Sequence, residues 1–209
     1  MNKRYIVFIL SIISFITIMI LLLTNNTVTF DKYIYNFISS FRCNNLDYIM
    51  KTITYIGNTI PVFIIIIILM MFLNNKNRIL LGSSMVITLL INQTIKYIIR
   101  RPRPPIEERL ITQGGYSFPS GHSMMSLCLY GVLIYLTWTN VKDKKIKYLI
   151  TTLLTTLILL IGISRIYLRV HYPSDVIAGF LLTISILIIN ITIINDKFRG
   201  NIKDEDVHK

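Results

Sequence analysis

The sequence predicts an all-α protein, a single integral membrane bundle of six transmembrane helices, and three observations predict it. The 209 residues are 53% hydrophobic and only 15% charged, against about 25% charged in soluble domains. Apolar stretches approaching the roughly 20 residues that cross a hydrocarbon core recur along the chain. No hydrophilic stretch between them is long enough for a second domain, so residues 1–209 read as one unit.

The first span falls within residues 1–30, where Tyr5–Leu23 carries no charge. Lys3 and Arg4 give it the outline of a signal peptide. Its apolar core is long, however, and Thr24-Asn25-Asn26-Thr27 offers no small-residue cleavage pattern, so a retained helix is expected. Residues 31–51 follow as an amphipathic segment, with Ile34, Phe37, Ile38 and Phe41 at i, i+3, i+4 and i+7. Beside a bilayer such a helix lies in the interface. A packing flap and a lipid-entry lip fit this pattern equally. Spans two to six occupy residues 52–194: about Thr52 to Leu73, Ile79 to Ile95, Ser123 to Thr139, Tyr148 to Ile163, and Val176 to Ile194. No charge falls in the middle of a span, where transport pathways place theirs. Asn92 and Gln93 in the third span read as interhelical hydrogen-bonding groups. Residues 195–209 form a polar tail expected to fray. Cys43 and Cys128 lie in a connection and inside a span, so no disulfide is expected.

Six spans put both termini on one side and connections one, three and five on the other. Lys and Arg are nearly balanced between the two sides. Once Lys96, Arg103 and Arg165 are set aside as chemistry, the terminus side holds the excess. The positive-inside rule then places both termini in the cytoplasm and connections three and five outside it. The net charge of +12 is read as basic residues flanking spans and meeting anionic headgroups, with no nucleic acid partner.

Three polar clusters border those two connections. The first is Lys96, six residues, then Arg103-Pro104. The second is Pro119-Ser120-Gly121-His122, where Ser120 suits an N-cap and leaves the next amides without intrahelical partners. Those amides and the helix dipole favour an anion, and Gly121 lets one approach the backbone. The third runs Ser164-Arg165, His171, Asp175. Pro173 suits a first helical position, which puts Asp175 in the first turn, ionised and placed to accept a proton from one nitrogen of His171. The other nitrogen is then free as a nucleophile. Arg forks and a Lys charge match phosphate oxygens. Taken singly, each cation reads as a snorkelling helix end, and Ser-Gly as an ordinary helix start. Of the three histidines, two open helices on one membrane face beside such groups, and the third, His208, sits in the tail and has no assigned role. The set suits binding a phosphate and breaking its ester bond through a histidine.

The three clusters resemble the signature of the type-2 phosphatidic acid phosphatase family, within the vanadium haloperoxidase superfamily. All three motifs are complete, in order and spaced as in that family. The likeness runs from Leu46 to Lys209 and includes Ser164–Gly179. Arg169 departs from it, standing where relatives often carry a small residue. The resemblance implies that His171 attacks phosphorus to form a phosphohistidine, Asp175 orients it, and His122 protonates the leaving oxygen. It also implies that Lys96, Arg103, Arg165, Ser120 and the Gly121 amide hold the phosphoryl oxygens, without metal or cofactor. The residues agree on the metal: Asp175 is the only carboxylate in the set, whereas divalent sites cluster oxygen ligands.

The expected protein is a multi-pass cytoplasmic-membrane phosphatase whose partners are the bilayer and a lipid phosphate or diphosphate. Undecaprenyl diphosphate is the first substrate expectation, with Arg100, Arg101, Arg109 and Arg169 as extra cations for a second phosphate. Phosphatidylglycerol phosphate and phosphatidate are the alternatives. A vanadate-dependent haloperoxidase and a non-catalytic transporter or scaffold are remote readings, opposed respectively by the six spans and by the intact His122, His171 and Asp175.

Overall fold

The computed structural model describes residues 3–207. Among them the chain is helical, without strands: α1 (Lys3–Leu23), α2 (Val28–Ser39), α3 (Asn44–Ile56), α4 (Thr59–Phe72), α5 (Asn75–Ile99), α6 (Gly121–Asn140), α7 (Lys144–Tyr167) and α8 (Pro173–Val207), with a 3₁₀ turn at Ile106–Glu108. Four helices are long and apolar enough to cross a membrane: α1, α5, α7 and the Pro173–Arg199 part of α8. The pair α3–α4 passes as a fifth, bent by 46°. The expectation of six spans is therefore met only in part, and two elements account for the difference.

The second span is broken. Pro61 has no N–H and is tolerated only in a first helical turn, so α4 has to start just ahead of it, at Thr59. Gly57 and Asn58 form the joint, and α3 extends back to Asn44, into the segment read as amphipathic. The other element is α6, which at 20 residues is not among the helices that qualify by length and composition, and much of which runs through protein rather than lipid. Ser123, Ser126, Cys128, Leu129 and Val132 on it are fully buried.

The largest core lies between α6 and its neighbours, where Leu80, Leu81, Leu129, Val132 and Ile161 pack together. Polar groups tie the helices across this interior, as interhelical amides do in membranes. Asn190 donates to Ser83 Oγ and Ser84 Oγ at 2.8 and 2.7 Å. Asn92 donates to Pro119 O at 3.2 Å, linking α5 to the start of α6. Helix α1 is peripheral, joined to α8 by Ser11 and Ser185 (2.7 Å) and to the loop before α6 by Phe15 against Phe118 (6.1 Å between centroids). Its other side, with those of α4, α5 and α7, is an exposed apolar surface suited to lipid. Cys43 and Cys128 are both free thiols.

Helix α2 packs against α7 and α8. Of its apolar periodic set, Ile34 and Ile38 are half-buried, whereas Phe37 and Phe41 point outward and meet edge to face at 5.2 Å. Helix α8 continues to Val207, into the tail expected to fray, since no proline after Pro173 interrupts its ladder. His208 lies outside the described residues.

Candidate active site

The C-termini of α5 and α7 and the N-termini of α6 and α8 converge. Ser120 N donates to Asp175 O at 3.0 Å, so the starts of α6 and α8 touch. A cavity of about 580 Å³ opens beside them and is lined by Lys96, Arg103, Gly121, His122 and His171. The two histidine rings share this one cavity.

His171 is held on several sides and is 1% exposed. Its Nδ1 lies 3.4 Å from Asp175 Oδ2 and 3.4 Å from Ser117 Oγ. Its Nε2 lies 3.0 Å from Arg103 Nη1. This geometry assigns the proton to Nδ1 and leaves an Nε2 lone pair on the Arg103 side. Asp175, fully buried, also accepts from Ser117 Oγ and from Tyr172 N, the latter at 2.9 Å. Burial first, then the charges of Arg103, Arg165 and Lys96, push the His171 imidazole well below its usual range. It is therefore neutral near pH 7, which an imidazole nucleophile requires.

Backbone carbonyls position Arg103 and Lys96, and side-chain oxygens position Arg165. Arg103 Nε donates to Gly114 O and Gly115 O at 3.0 and 2.9 Å, and its Nη1 donates to Val170 O at 2.6 Å. Burial lowers its pKa to about 10, with Asp175 acting against that change. Lys96 Nζ donates to Tyr116 O at 2.5 Å. Arg165, fully buried, donates to Thr54 Oγ1 at 2.6 Å and to Gln113 Oε1 at 2.7 Å, and its Nε has no partner. A buried, unsatisfied guanidinium N–H calls for an acceptor, and a small oxyanion would supply one.

At the other end, His122 Nε2 lies 2.6 Å from Asn58 Oδ1. Asn58 occupies the N-cap of α4 without capping it, so its side chain reaches across to the ring instead. Gly57 is required beside it: a Cβ there would stand 2.8 Å from Ile161 Cγ2 and 3.3 Å from His122 Cδ2.

Of the sequence-predicted residues, Lys96, Arg103, Gly121, His122 and His171 line the cavity, and Arg165 and Asp175 stand behind it. Ser120 is the N-cap of α6 as read, but its hydroxyl accepts from Ser123 Oγ at 2.9 Å and is fully buried, turned into its own helix rather than into the cavity. Sequence reasoning missed Ser117, Asn58, Thr54 and Gln113, whose placement depends on partners distant in the chain. It also counted Arg101 only as a spare cation and passed over Asp31. Asp31 had left a signal: it shares the buried face of α2 with Ile34 and Ile38, at i, i+3 and i+7.

Known proteins resemble this chain in sequence and in fold. The chain is 40% identical over 95 residues to phosphatidylglycerophosphatase B of Bacillus subtilis, covering 44% of this chain and 45% of that protein. It is 32% identical over 109 residues to an undecaprenyl-diphosphatase of Sulfolobus acidocaldarius, covering 50% and 48%. The match thus spans about half the length of these curated relatives. Among solved structures, the transmembrane PAP2 type phosphatidylglycerolphosphate phosphatase of Bacillus subtilis superposes with a TM-score of 0.78 at 29% identity, over 94% of this chain and 98% of that one. LpxE of Aquifex aeolicus gives 0.65 at 25% identity, over 77% and 93%. The description PAP2 superfamily attaches to a family model that matches residues 77–199, the stretch from the start of α5 through the apolar part of α8 that carries all three motifs, and to that family the chain belongs.

Proposed function

We propose that this protein is an integral membrane phosphatase that hydrolyses the phosphate ester of a membrane lipid through a phosphohistidine on His171. The observation that carries this reading is the two-part cavity. Its polar end holds both histidines, Lys96 and Arg103, and its walls are Val62, Phe63, Ile66, Met85, Val86 and Leu89. Such walls accept an acyl or prenyl tail while the headgroup meets the cations. His171 Nε2 attacks phosphorus and the ester oxygen leaves with a proton from His122. Water then attacks the phosphohistidine and releases inorganic phosphate. Lys96, Arg103 and Arg165 balance the charge on the equatorial oxygens. Asp175 keeps the His171 proton on Nδ1. We place the termini in the cytoplasm and the site on the outer face, with α6 completing six crossings.

A phosphatidylglycerol phosphate-like monoester is favoured over undecaprenyl diphosphate. None of the four arginines that would suit a second phosphate lines the cavity, and each has a partner elsewhere. Arg100 Nε donates to Tyr97 O, Arg109 to Pro104 O and Gln113 O, Arg101 to Asp31 and Asp175, and Arg169 to Glu108 and Ser39. The names of the Bacillus relatives point the same way. The test is phosphate release by purified protein from phosphatidylglycerol phosphate, phosphatidate and undecaprenyl diphosphate. Highest kcat/KM on the glycerolipid monoesters is expected. A preference for the diphosphate would reverse the substrate order, and no release from any of them would end the enzymatic reading.

A further inference from the structure

Asp175 has a counter-charge that none of the three motifs specifies, Arg101, which sits in the six-residue spacer of the first. Arg101 Nη1 donates to Asp175 Oδ1 at 2.5 Å, while its Nη2 donates to Asp31 Oδ2 at 2.7 Å. Asp31 is anchored in turn: its Oδ1 accepts from Ser174 N at 2.8 Å and its Oδ2 from Ser174 Oγ at 2.8 Å. Arg101 Nη1 also reaches Ser174 Oγ at 2.8 Å, and the guanidinium lies 4.0 Å over the Tyr172 ring. The three side chains are 3%, 12% and 0% exposed, in the order Asp31, Arg101, Asp175, so this is no solvated rim pair. Burial works against the charge on Arg101, yet Asp175 and Asp31 together raise its pKa above the ordinary value.

We infer that Asp31 and Arg101 are positioning residues of the reaction, forming a buried Asp31–Arg101–Asp175 relay that links the interfacial helix α2 to His171. Arg101 occupies Oδ1 of Asp175 and thereby commits Oδ2 to Ser117, Tyr172 N and His171 Nδ1. Asp31 shares the guanidinium. An unshared Arg101 would draw charge away from the contact between Asp175 and His171 Nδ1; with two carboxylates on one cation the cluster stays net negative and Asp175 keeps its pull on the imidazole proton. The helix read from sequence as a flap or a lip therefore also carries a charge that tunes the nucleophile. The inference rests on the phosphatase reading.

The experiment uses the full chain in detergent with p-nitrophenyl phosphate, a soluble ester without a tail, so that any role of α2 as a lipid rim drops out. Arg101→Gln is expected to lower kcat about 100-fold and Asp31→Asn about tenfold, with KM within about twofold. The double variant should fall no further than Arg101→Gln alone, since the two act through one link. The acid limbs of kcat should move in opposite directions. Asp31→Asn leaves Arg101 unshared, makes His171 less basic and shifts the limb to lower pH. Arg101→Gln leaves Asp175 uncompensated and shifts it to higher pH. The other groups facing the His171–Asp175 pair are Lys96 of α5, Arg103 and Tyr172 of the loops, His122 of α6 and Arg165 of α7, and all stay unchanged in both variants. General structural damage would not split the limbs by sign. If Arg101→Gln does not fold, Arg101→Lys, which keeps the charge but cannot bridge two carboxylates, should show the same loss in kcat. Wild-type kcat in the Asp31 and Arg101 variants, or limbs that stay put or move together, overturns the relay while leaving a His171-dependent phosphatase intact. A wild-type protein that releases no phosphate from this ester or from the lipids overturns both.

Discussion

The two histidines share a cavity but are built differently. His171 sits in a closed corner, with Asp175, Ser117 and Arg103 around its ring and 1% of its surface exposed. His122 stands at the open end with one side-chain partner, Asn58, at the joint of a broken helix. A group that must attack along one line gains from being fixed. A group that hands a proton to departing alcohols of varied shape needs access to the cavity more than rigidity. The difference teaches that the site is locked around His171, the proposed nucleophile, and looser around His122, the proposed acid.

The most severe break in that contrast is at the locked corner. His171→Gln, chosen because Gln roughly fills the buried space of the ring, should lower kcat by about 10⁴-fold or more while the protein remains folded; single-turnover phosphate release checks it. At the open end, His122→Ala should cost about 10² to 10⁴ in kcat with an alkyl phosphate and far less with an activated aryl phosphate. Equal losses on both would remove its acid role. The pH profile sharpens the comparison. His171 has a pKa lowered from 6.5, so its neutral form survives as pH falls through that value. The acid limb of kcat/KM for the free enzyme should therefore lie below pH 6.5, unlike that of an exposed imidazole. Leu89→Trp narrows the cavity away from both rings, and should raise KM for the lipid about tenfold while sparing a soluble ester. The smallest effect is Gly57→Ala, whose Cβ would press on Ile161 and His122. It should cost about 1–3 kcal/mol by overpacking and trim activity through His122 alone. A thermal melt in detergent paired with kinetics on both ester types separates the two.

Much of this was readable from one dimension. Apolar run length marks most of the spans, and their alternation alone sends the Lys96, His122 and His171 clusters to one end of the bundle. Hidden features were those that depend on a partner. Residues 52–73 look like one greasy run, and only Pro61 hints that α4 must begin afresh at Thr59. Helix α6 carries serines whose full burial is visible only once its neighbours surround it. Asp31 and Arg101 are seventy residues apart, and hydrophobic periodicity reports which face turns inward without saying what it meets. Arg169 was legible as an anomaly but not as a solution. At φ 59° it holds a backbone shape that favours glycine, while its side chain stacks on Tyr35 at 3.8 Å, pairs with Glu108 at 2.5 Å and donates to Ser39 at 3.0 Å.

Helix α2 is thus fastened twice, by Asp31 near its start and by Ser39 and Tyr35 toward its end. A helix bolted at both ends does not swing. Turnover in this protein should show no slow phase from movement of α2, whose residues do not line the cavity, and a lipid diffusing within the leaflet should instead reach the apolar walls that α4 and α5 supply.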